Sequence, residues 1–88
     1  MGLDTVEFVL WAEDHFGIYI PDDHAAGIFT VGQFCRYVEN RLAEKGNGQA
    51  PSCHAIFTQV ADRLVSEYNV ASELITEDAR FVKDLGLE

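Results

Sequence analysis

The sequence predicts an all-α fold, a bundle of three long helices and one short one, from three observations. Apolar residues recur at helical spacing in three separate stretches. Helix-start signals stand ahead of each long stretch. No run alternates apolar and polar residues over the length of a strand.

The first helix is expected over about residues 4–16. Asp4 followed by Glu7 has the spacing of a capping box, with Asp in place of Ser or Thr. At 100° per residue, Leu3, Val6, Val9, Leu10, Ala12 and Phe16 share one arc and Asp4, Glu7, Trp11, Asp14 and His15 the other. Glu13 points toward the apolar arc and is expected to reach water from the last turn. Gly17 supplies a left-handed cap. Pro21 then opens a single short turn of helix, because proline suits a first helical position that needs no N–H.

Thr30 and Gln33 form a second capping box and open a helix to about Lys45, with Val31, Phe34, Cys35, Val38 and Leu42 inward. Residues 46–51, Gly-Asn-Gly-Gln-Ala-Pro, are the linker. Ser52 caps the third long helix, to about Asn69, with Ile56, Phe57, Val60, Ala61, Leu64 and Tyr68 in register. Residues 70–88 follow neither period. They read as a loop pinned by Leu74, Ile75, Phe81, Val82, Leu85 and Leu87, with a helical turn after Ser72.

The chain has 88 residues, the size of one small domain. Its 15 acidic against 6 basic residues give a net charge of −9, and residues 1–30 hold no Lys or Arg. That charge repels phosphate backbones and anionic membranes and suits a basic protein surface. No apolar run nears the ~20 residues of a membrane span, and no basic-then-apolar leader opens the chain, so a cytoplasmic location is expected. Cys35 and Cys53 fall among apolar helical positions and read as free buried thiols rather than a secreted disulfide framework. His15, His24 and His54 match no metal-ligand spacing, and no nucleophile–base pair or phosphate loop is legible. An enzyme is not expected.

The two ends carry a further signal. The chain closes on I-T-E-D-A-R-F-V-K-D-L-G-L-E and opens on M-G-L-D-T-V-E-F-V. Tail before head, this resembles the centre of an acyl carrier protein, I-T-x-D-x-x-F-x-x-D-L-G-x-D-S-L-D-T-V-E-L-V. Residues 3–42, with F-G-I-Y-I-P-D-D and T-V-G in register, are similar to that family's second, third and fourth helices. Residues 53–88 are similar to its first helix and long loop. The resemblance implies a circularly permuted acyl-carrier bundle in one domain, 1–88, with 1–45 and 52–88 as the exchanged halves. The six linker residues, extended, span roughly 20 Å, enough to close one monomer in preference to a swapped dimer.

The family's central Ser carries 4′-phosphopantetheine. Here that position falls at Gly2, which has no side chain to modify, and the joined ends hold one residue too many. Ser52, Ser66 and Ser72 lack the D-S-L context. No cofactor and no catalytic or metal site is therefore expected. The expected function is an acidic protein–protein interaction module docking Asp4, Glu7, Trp11 and Asp14 on a basic partner, such as an enzyme of fatty acid or secondary metabolism. A working carrier with an unusual phosphopantetheine site, or within a swapped dimer, is the alternative. Trp11 is also read as a packing residue covering Phe8.

Overall fold

A computed structural model describes residues 3–45 and 51–88. Gly2 and most of the linker lie outside the described residues. Four α-helices follow in order: α1, Leu3–Phe16; α2, Asp22–Ala26; α3, Val31–Glu44; and α4, Cys53–Tyr68. A single 3₁₀ turn, Ser72–Leu74, opens the tail. No strand forms among the described residues; Thr30 and Arg80 make one isolated antiparallel bridge.

Local chemistry sets the ends of α3 and α4. The Gln33 backbone N–H donates to the Thr30 hydroxyl at 3.1 Å, and the Gln33 side-chain Oε1 accepts from the Thr30 N–H at 3.0 Å, closing the expected capping box. The Ser52 hydroxyl accepts from the Ala55 N–H at 3.2 Å, and Asn69 ends α4 in the left-handed region at φ 58°. Gly17 ends α1 at φ 68°, where a side chain would be strained.

The first capping box does not form as expected. Asp4 stands inside the first turn of α1, and its carboxylate accepts from the Glu88 N–H at 3.3 Å. The inward face of α1 is also rotated from the expected arc. Phe8 and Ala12 are its buried residues, whereas Leu3 is 72% exposed and Leu10 58%. The reason lies outside the helix, because the tail packs on Phe8. Phe81 approaches Phe8 with ring centroids 5.3 Å apart, and Phe34 of α3 approaches it at 5.1 Å. Glu13 is not simply solvated either: its carboxylate accepts the Ile20 N–H at 2.8 Å and holds the α1–α2 turn.

α3 and α4 pack along each other, and Val31, Val38, Ile56, Val60 and Leu64 are fully buried between elements. Burying a side chain of this size contributes ~1.5–3 kcal/mol, so this layer dominates cohesion. The tail is pinned by Val70, Ile75, Ala79, Phe81, Leu85 and Leu87, all buried. Leu74 and Val82, expected among the anchors, are instead exposed, at 51% and 59%. Backbone hydrogen bonds lay the tail over the start of α3: Gly32 N–H to Glu77 O at 2.9 Å, Val31 N–H to Ala79 O at 3.0 Å and Phe81 N–H to Phe29 O at 3.0 Å. Its last residue reaches α1, where the Thr5 N–H donates to the Glu88 carbonyl at 2.9 Å.

Candidate functional site

The junction of tail and α1 adjoins an apolar cavity of about 580 Å³. Phe8 of α1, Ile20 and Ala25 around α2, Phe34 of α3 and Phe81 and Leu87 of the tail line it, all buried. Exposed Phe29 and Val82 join the lining, as do Arg80 and Lys83. Its volume falls in the range of small-molecule sites, and its walls offer an apolar chain no hydrogen-bonding demand. Sequence reasoning missed it because its walls come from four separate segments. The one signal was the excess of apolar residues in 70–88 that fit no period.

The cations on the tail are not equivalent. Arg80 donates through Nε to Asp84 Oδ2 at 3.1 Å, and its backbone N–H donates to the same oxygen at 2.8 Å. These bonds hold the Asp84 carboxyl below its ordinary value. Lys83, two residues beyond the buried Phe81 ring, takes part in none of the described salt bridges.

The four residues expected to meet a partner separate into two groups. Glu7 and Asp14 are exposed on the outer side of α1 with Leu3, Val6 and Leu10. This gives α1 a mixed acidic and apolar outer face, with the apolar members contributed by the rotation of the helix. Asp4 is half-buried, its carboxylate engaged by Glu88 and its carbonyl accepting from the Tyr68 hydroxyl at 3.4 Å. Burial, and then the Glu7 carboxylate, push the Tyr68 phenol above its ordinary value. Trp11 is half-buried. It packs on Phe8 at 5.4 Å, stacks with His15 at 4.9 Å, and is covered by the Arg63 guanidinium 5.3 Å from its ring. The packing reading of Trp11 accounts for these contacts.

None of the serines sits at the cavity. Ser52 caps α4, Ser66 donates to the Arg63 carbonyl at 3.4 Å within α4, and Ser72 opens the 3₁₀ turn. No group of three or more His, Cys, Asp or Glu comes together among the described residues. No described helix is long and apolar enough to cross a membrane.

Half of the chain is similar to acyl carrier proteins. It is 56% identical over 44 residues to an acyl carrier protein of Amoebophilus asiaticus, covering 50% of this chain and 55% of that protein. It is 49% identical over 42 residues to acyl carrier proteins of Sinorhizobium fredii and Rhizobium meliloti, covering 48% of this chain and 54% of each. The chain thus spans about half the length of the curated relatives it matches. No family model and no solved structure matches it.

Proposed function

We propose that the chain is an acyl-carrier-like protein, permuted in sequence, that works as an acidic interaction module without a phosphopantetheine arm. It is not an enzyme. In this reading residues 53–88 supply the family's first helix and loop, and residues 3–42 the remaining helices. The observation that carries it is the tail–α1 junction, where Glu88 runs into the first turn of α1 through Thr5 and Asp4. The order tail, then α1, is the order in which the resembled motif is read.

At the motif's modifiable position this sequence has Gly2 before Leu3 and Asp4, and Gly offers no hydroxyl. What remains of carrier chemistry is the outer face of α1. Glu7 and Asp14 provide charge, and Leu3, Val6 and Leu10 provide apolar area for a basic partner, such as an enzyme of acyl metabolism. The cavity favours a second reading, a working carrier armed on an unusual residue, because an arm-borne acyl chain would find an apolar pocket beside the junction.

Intact mass after incubation with coenzyme A and a phosphopantetheinyl transferase separates the two. An unchanged mass is expected. A gain of one arm on one residue overturns the armless reading. Capture of a basic partner, lost on Glu7→Lys, is expected for the interaction role; capture that is indifferent to this reversal removes α1 from it. Proteolytic cutting of the linker should leave the halves together under native conditions, and light scattering should report one chain.

A further inference from the structure

The lining of the cavity runs against the charge of the chain. The sequence has 15 acidic and 6 basic residues, and residues 1–30 hold no Lys or Arg. Yet Arg80 and Lys83 both line the cavity, and among the described residues no Asp or Glu does so. The two cations differ in availability. Arg80 is committed to Asp84, to which its Nε donates at 3.1 Å. Lys83 is exposed, takes part in none of the described salt bridges, and lies two residues beyond the buried Phe81. An apolar interior is thus joined to a cationic edge, the complement of a hydrophobic anion.

The interior is also rich in aromatic rings. Phe34 and Phe81 stand 5.1 Å and 5.3 Å from Phe8 and 5.9 Å from each other, at interplanar angles of 54°, 44° and 80°. Phe29, 62% exposed, adds a further ring to the lining. Rings set at such angles put edges and faces at different points of one wall. A flat aromatic guest can meet both, and such pairs attract by more than their buried area alone provides. A flexible chain offers area only, and it loses rotational freedom on entering.

We propose that the cavity is a reversible binding site for a free aromatic monocarboxylate, with its rings among the four phenylalanines and its carboxylate at Lys83 Nζ. No group is transferred: the ligand enters and leaves unchanged, so the site needs neither an arm nor a modifiable Ser. It does not use the outer face of α1 either. Ligand binding and the interaction role therefore stand or fall separately.

The test is calorimetric titration of the full chain at about pH 7, where a carboxylic acid is ionised. The probes are 2-naphthoate; undecanoate, which has the same carbon count on a flexible chain; and 2-naphthamide, which keeps the rings without the charge. 2-Naphthoate should bind one-to-one, roughly fivefold or more tightly than undecanoate. Lys83→Gln should weaken 2-naphthoate by roughly two- to fivefold, as befits an exposed ion pair, and leave 2-naphthamide unchanged. Phe29→Leu keeps apolar area but removes a ring; it should weaken 2-naphthoate by roughly two- to tenfold and leave undecanoate unchanged. Both side chains are exposed, so neither substitution disturbs the core. Undecanoate bound as tightly as 2-naphthoate would make this a chain site and overturn the proposal. So would the absence of saturable 2-naphthoate binding, an affinity indifferent to either substitution, or a Lys83→Gln loss shared by 2-naphthamide.

Discussion

Gly32 offers a sharp test of how the tail is held. It lies in the first turn of α3, and its N–H donates to the Glu77 carbonyl at 2.9 Å. A Cβ built there would stand 2.9 Å from that same carbonyl oxygen and 3.2 Å from the Glu77 Cβ. The first distance is closer than side-chain carbons approach a backbone oxygen, and the offending atom is backbone, so the tail must move. In Gly32→Ala, overpacking costs about 1–3 kcal/mol and the weakened hydrogen bond about 1 kcal/mol. Alanine regains up to ~1 kcal/mol of helix propensity. The net expectation is a loss of about 2 kcal/mol, which lowers the thermal midpoint by roughly 8–16 °C in a domain of this size. Calorimetry measures the total, and amide exchange locates it: protection should fall at Val31, Gly32 and Phe81 while the middle of α4 changes only with global stability. A Gly32→Ala protein more stable than wild type by ~1 kcal/mol, the value of helix propensity alone, would refute the close approach of the tail.

Three further outcomes are expected. Phe34→Ala removes the ring that meets both Phe8 and Phe81 and should cost about 3–5 kcal/mol in chemical denaturation; a loss below 1 kcal/mol would mean that these three rings are not one cluster. The Asp84 carboxyl is held below 3.8 by its bonds to Arg80, so its stabilising contribution is present above that pH and is lost as pH falls through the depressed value. NMR titration should find Asp84 ionising below the ordinary carboxylate value of 3.8, and Asp84→Asn should flatten that part of the acid-stability profile. Cys35 is raised from 9.0 to about 12, so its contribution is full below pH 9 and is lost as pH rises toward 12. Alkaline unfolding should therefore move to higher pH in Cys35→Ala, and an unchanged profile would remove Cys35 as its cause.

Signals that act over a few residues were legible in the sequence. Thr30 with Gln33, Ser52, Gly17 and Pro21 each fix a helix end through groups three or four positions away, and each element begins or ends where they indicate. The inner faces of α3 and α4 were also legible, because those helices pack chiefly on each other and keep a clean period. α1 was misread because its inward face is chosen by distant residues. Phe81 packs on Phe8, and Trp11 is occupied by Arg63 of α4, so an arc drawn from α1 alone sent Leu3 and Leu10 inward. Asp4 failed as a cap for the same reason, since its partner is Glu88. At the candidate site, the exposure of Glu7 and Asp14 follows from their charge. The cavity depends on side chains from separate elements and left no local trace.

The tail–α1 junction has a mechanical consequence. Force applied between Leu3 and Glu88 acts on Thr5 N–H···O Glu88 and Glu88 N–H···Oδ2 Asp4 before it reaches any buried ring. These bonds stand at the point where the load enters, so they break in turn rather than together. The tail then peels from Gly86 back toward Glu77, while the α3–α4 pair carries no load. Pulled this way the molecule should yield at low force from the tail. Pulled instead between α3 and α4, it would resist until the buried layer of Val38, Ile56, Val60 and Leu64 sheared as a unit.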